Sequence, residues 1–104
     1  MNTYTLAYHS VARNLAASDQ AALMKSSAPI YMPTLVEAGL AFVSDTPSTS
    51  DPIATRTIIF QDAVTPGSMP PGAPMAQYLT SFFTGQIADG IQAPVTADDV
   101  VVTP

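Results

Sequence analysis

The first residues alternate, with Thr and Tyr set against Leu and Ala from Thr3 to Tyr8, a period of two that suits a short strand. Two continuations compete. His9-Ser10 can turn the chain into a second strand, Val11–Ala17, making a hairpin. Alternatively a helix runs from Ser10 to Lys25, capped by Ser10, with Val11, Leu15, Ala22 and Leu23 near helical spacing. The abundance of alanine favours the helix, and both readings stay open.

Ser26-Ser27-Ala28-Pro29 interrupts whichever element precedes it, and Pro33 marks the approach to a predicted strand, Thr34–Ser44. Alternation would point Val36, Leu40 and Phe42 one way and Leu35, Glu37, Gly39 and Ala41 the other. Asp45–Pro52 reads as a turn or exposed loop, because Ser, Asp and Pro favour local bends over a ladder. Ala54–Val64 is the clearest strand, with Thr55, Thr57 and Gln61 on one face and Ile58, Phe60 and Val64 on the other. The two strands together predict a long antiparallel hairpin with a greasy even-numbered face and a hydroxyl-rich odd-numbered one.

Thr65–Ala73 is a connector rich in Pro and Gly, ending where Pro74 can occupy a first helical turn. From Pro74 to Gln92, Met75, Tyr78, Leu79, Phe82, Phe83, Ile87 and Ile91 recur at steps of three and four. Gln77, Thr80, Ser81, Thr84 and Asp89 take the opposite face, so an amphipathic helix is predicted. Gly85 costs that helix up to about 1 kcal/mol against alanine and marks a kink or a close approach, while Gly90 can end it early. Ala93–Pro104 reads as an extended arm seeking a sheet edge or a neighbouring subunit. The fold class is therefore α+β: one domain over 1–104, with an amino-terminal hairpin or helix, a long strand pair and a carboxy-terminal amphipathic helix, dimeric.

Composition explains why a partner enters. Only 11% of the 104 residues are charged while 47% are hydrophobic, and a chain of this size buries only about 65% of the surface its unfolded form exposes. Apolar surface is left for other subunits to cover. Eight acids against three bases give a net charge of −5, which disfavours direct binding to nucleic acid or anionic membrane. The absence of cysteine excludes disulfides, thiolate catalysis and Cys-based zinc sites. No signal-peptide pattern or run of about 20 apolar residues occurs, so a cytosolic product with no membrane partner is expected.

Candidate chemistry is sparse. His9 is the only histidine, so a Ser/His/Asp site would have to recruit it with Ser10 and a distant aspartate, and no nucleophile elbow supports that. It lacks a second nitrogen or sulfur ligand at useful spacing, and Asp98-Asp99 is only a weak oxygen pair. Glu37 and Asp62 are predicted to point apart, and no phosphate-binding glycine loop is present. The expectation is no catalytic residue, no metal and no cofactor. Arg56 falls on the apolar face of its strand, where an ion pair with Asp62 or an acid of another subunit suits it. The stripe Tyr78, Leu79, Phe82, Phe83 and Ile87 reads as core or oligomer interface, and is assigned to the interface.

The run Ala54-Thr-Arg-Thr-Ile-Ile-Phe-Gln-Asp-Ala-Val64, followed by a loop and Tyr78-Leu-Thr-Ser-Phe-Phe83, resembles the last strand and first helix of the coat proteins of single-stranded RNA bacteriophages. Tyr4-Thr-Leu-Ala-Tyr8 with Ala12-Arg-Asn-Leu15 is similar to that family's opening hairpin. The resemblance implies a dimer whose sheets join edge to edge beneath crossing helices, dimers closing into an icosahedral shell, and an inner sheet face that holds genomic RNA. Thr55, Thr57 and Gln61 are the RNA-contact positions it points to. The location implied is the virion, after synthesis in the host cytoplasm. Two other readings share the composition: a different phage structural part (decoration, tail or neck), and a small dimeric enzyme or ligand-binding module lined by Tyr78, Phe82 and Phe83.

Overall fold

The alternation at the amino terminus builds β1 (Thr3–Ser10), whose even-numbered Tyr4, Leu6, Tyr8 and Ser10 are buried while the odd-numbered residues are half-buried. A computed structural model describes residues 1–11, 15–26, 28–48, 53–86 and 95–104. β1 pairs antiparallel with β3 (Thr55–Asp62), opposing Tyr4 to Phe60 and Tyr8 to Arg56. β3 pairs antiparallel with β2 (Leu40–Ser48), and two short strands, β4 (Val95–Ala97) and β5 (Val101–Thr103), line the other side of β1. The result is an α+β fold, a five-stranded antiparallel sheet in the order β2-β3-β1 with β4 and β5 outside. Helices cover one face, and among the described residues no element covers the other.

Among the described residues of the predicted second strand, Val11–Ala17, none is in a strand; residues 12–14 lie outside the described residues. The chain forms helix α1 (Ala17–Ser26), seven residues later than Ser10. Its buried stripe is Ala17, Gln20, Ala21 and Met24, steps of three and four that set one helix face on the sheet. Val11 and Leu15 lie before it, exposed. Gln20 belongs in the stripe because its amide is fully used: Nε2 donates to the Leu15 carbonyl at 2.8 Å, and Oε1 accepts the Ala54 N–H at 3.2 Å.

The predicted strand from Thr34 is in fact the end of helix α2 (Ala28–Ala38), which runs through Pro33. A proline inside a helix costs about 3 kcal/mol, and here tertiary packing overrides it: Leu35 and Ala38 are buried and Met32 packs against the core at steps of three. Gly39, with φ +108°, stops the helix and donates its N–H to the Val36 carbonyl at 3.1 Å. The connector then completes the cap. Ser68 and Met69 donate their N–H groups to the Glu37 and Ala38 carbonyls, each at 3.1 Å, and a Cβ on Gly67 would overlap the backbone of Ala38 and Gly39.

The first strand of the predicted pair is therefore displaced toward the carboxy terminus, while the second, β3, falls within its predicted bounds. Asp45–Ser48 is ladder rather than loop, and the rest of the predicted loop, residues 49–52, lies outside the described residues. Val43 is an inserted residue between Phe42, opposite Phe60, and Ser44, opposite Ile59.

Helix α3 (Ala73–Ser81) starts after Gly72 with Pro74 in its first turn, as the sequence predicts, and buries Met75 and Leu79. At Phe82–Gln86 it widens into a π-turn containing Gly85. This wider turn lets the consecutive residues Phe82 and Phe83 both face the core. The predicted continuation to Gln92 lies outside the described residues, and β4 and β5 follow, so the helix is not the chain's last element.

Candidate functional site

The tail arm does find a sheet edge. Asp98 N–H donates to the Ala7 carbonyl at 2.9 Å, and the registers Tyr8 opposite Ala97 and Thr5 opposite Val101 match three steps on β1 with four on the tail. One residue is therefore inserted between β4 and β5. The insertion shifts parity so that Val95 and Ala97 before it, and Val100 and Val102 after it, all meet the core. Even the outward backbone here is capped, since the Ala97 N–H donates to Thr84 Oγ1 at 3.0 Å.

Among the described residues, no strand pairs with the opposite edge, β2. Ser10 and Asp62 donate backbone bonds to Ala54 and Asn2, so even-numbered residues of β3 turn their backbone toward β1 and odd-numbered ones toward β2. Leu40, Phe42, Asp45 and Pro47, which oppose Asp62, Phe60, Ile58 and Arg56, consequently direct their backbone groups away from the sheet. Pro47 has no N–H to lose there. Phe42 meets Phe60 edge to face at 6.3 Å, yet Phe60 is fully buried while Phe42 is 50% exposed. Val43, next to it in sequence, is exposed, as is Val36 on α2.

The charge at this edge is cancelled locally. Arg56 Nε lies 3.0 Å and 3.2 Å from the two carboxylate oxygens of Asp45, with both side chains largely out of water. This corrects the expected pairing of Arg56 with Asp62 or a foreign acid. Asp62 is engaged elsewhere: it accepts the Tyr4 hydroxyl at 2.6 Å and both Asn2 N–H groups at 2.8 and 3.0 Å, while Tyr4 accepts the Gly72 N–H at 2.8 Å. Burial pushes the Asp62 carboxyl up, but the Tyr4 and Asn2 donors hold it below its ordinary value. Burial, then the Asp62 acceptor, raises the Tyr4 hydroxyl.

Three residues of the stripe assigned to the interface lie in the core of this single chain. Leu79 and Phe83 are fully buried and Phe82 nearly so within this one chain. Phe83 packs on Tyr8 at 4.8 Å, and Tyr78 and Phe83 flank Phe82 at 5.8 and 5.7 Å. Leu79, Phe82 and Phe83 thus pack within the chain's own fold. Tyr78 is half-buried, its hydroxyl raised by burial and then by the Glu37 charge. Ile87 lies outside the described residues. The surface that sequence reasoning missed is Phe42 and Val43 on β2, and its one legible signal is an apolar Phe-Val pair next to a polar Ser-Asp-Thr-Pro run.

Thr55, Thr57 and Gln61 do share the open face, with Thr3, Thr5 and His9 of β1 beside them. Among the described residues that face carries no Lys or Arg, since Arg56 points to the opposite side and Lys25 belongs to α1. Also among the described residues, no three His, Cys, Asp or Glu gather as a metal site, and no helix is long and apolar enough to cross a membrane. Neither family models, curated proteins nor solved structures give a match to this chain.

Proposed function

We propose that this chain is a structural subunit that assembles with copies of itself through the β2 edge, most specifically as a coat protein of the single-stranded RNA bacteriophage kind, made in the host cytoplasm and resident in the virion. Phe42 carries the reading: a half-exposed aromatic on a strand edge that no other described strand pairs with, packed against the fully buried ring of Phe60. Antiparallel pairing of two β2 edges about a two-fold axis satisfies both rows of outward backbone groups and gives each Phe42 a cover. The Asp45–Arg56 pair lets two chains of net charge −5 approach here without facing bare carboxylates.

In such a shell the hydroxyl-rich face with Thr55, Thr57 and Gln61 would look inward. Contact with RNA on it would run through hydroxyl and amide hydrogen bonds, so retention would depend only shallowly on salt. Electron microscopy of the purified protein, with its absorbance ratio at 260 and 280 nm, tests the reading. Closed shells containing RNA support it in full, and shells free of RNA remove the RNA while keeping the assembly. A uniform monomer at high concentration overturns it.

A further inference from the structure

We infer that the groove between the edge of β1 and the α3 π-turn is a strand-acceptor site, and that the strand 95–103 of one copy exchanges into the groove of another. The groove is built wholly from residues outside the tail. β1 supplies the outward backbone groups of Thr3, Thr5, Ala7 and His9, Tyr8 and Phe83 supply the apolar floor, and Thr84 supplies the acceptor for Ala97. Its ligand is a self-contained strand. Val95, Ala97, Val100 and Val102 all reach the core, which is how an added strand is recognised: main-chain bonds for affinity, alternate side chains for specificity.

Every tail contact described above is made with the groove, so a tail arriving from a second copy makes the same ones. The balance between the two arrangements is then set by concentration and by the connection. The hold of any one tail is modest, two ladders of three residues each on an edge strand, so local opening is cheap. The eight residues 87–94 reach roughly 26 Å when extended, more than the molecule's two shorter dimensions of 23 and 18 Å. This exchange uses the edge opposite β2 and stands independently of the proposed seam.

The cysteine-free sequence allows a direct trap. Thr5 and Val101 are register partners on the open face, and Val101 is exposed, so Thr5→Cys and Val101→Cys chains should each fold. The two are mixed in a redox buffer, and disulfide-linked species are separated by mass. Exchange predicts a mixed dimer well above the half expected for random pairing, and above the mixture of Thr5→Cys with Thr46→Cys, a residue of β2 outside the groove. The same excess is expected in the Phe42→Asp background, where the β2 seam is disabled. Mixed dimer no more abundant than in the Thr46→Cys control, in both backgrounds, overturns the exchange.

Discussion

The two edges of the sheet are finished in opposite ways. On the tail side an inserted residue keeps four apolar side chains on the core, and Thr84 caps the outward N–H of Ala97. On the β2 side an inserted residue, Val43, is itself exposed, Phe42 is half-covered, and the outward backbone groups of Leu40, Phe42 and Asp45 meet no neighbouring strand among the described residues. The same device, a one-residue bulge, therefore closes one edge and leaves the other presenting apolar surface. The difference lies in what stands above the strand: the π-turn with Phe83 and Thr84 over β4, and no aromatic cover over the outer half of Phe42.

Phe83→Ala attacks the closed edge hardest. It removes the ring against Tyr8, which floors the tail groove, and should cost about 3–5 kcal/mol in urea-unfolding free energy. Amide protection should fall first in β4. Arg56→Met attacks the open edge next. It strands the Asp45 carboxylate against the sheet at a cost of about 3 kcal/mol, and it should weaken self-association beyond the loss of stability. The double variant Arg56→Met/Asp45→Leu should restore both, as read by unfolding and sedimentation.

Thr84→Val is a smaller perturbation confined to the tail. Loss of one hydrogen bond should cost about 1 kcal/mol, with faster exchange at the Ala97 amide and none of the change at β2. The smallest effect tests a tie that serves both edges, the Asp62 clasp between β1, β3 and the connector. The folded Asp62 lies below its ordinary value, so its contribution is fully present above the unfolded carboxylate range and is lost as pH falls through the lower folded value. Unfolding free energies of wild type and Asp62→Asn should therefore converge in acid. A gap that stays constant to low pH would break this account of the clasp.

The closed side of the molecule is largely legible in the sequence. β1 and β3 show themselves by clean alternation, α3 by its apolar stripe and Pro74, and the tail by its Val run between polar residues. Helix α1 is legible only as one of two readings and with its start placed too early at Ser10, because Gln20 puts an amide in its buried stripe; α2 is not legible, because Pro33 breaks local propensity inside it while Met32, Leu35 and Ala38 offset that through packing. With α2 read as strand, β2 begins six residues too early and its exposed Phe42 is lost among expected core positions. The Tyr78, Leu79, Phe82 and Phe83 stripe is visible as apolar, but periodicity alone does not say whether the surface that covers it belongs to the same chain or to another. A π-turn, which buries two consecutive aromatics, has no periodic signature at all.

Sedimentation velocity of wild type and Phe42→Asp at matched concentrations, with circular dichroism to establish that both are folded, tests the open edge most directly. The account predicts that the wild type sediments as dimers or larger assemblies while the variant keeps its secondary structure and sediments as a monomer. Equal sedimentation of two folded proteins would contradict it.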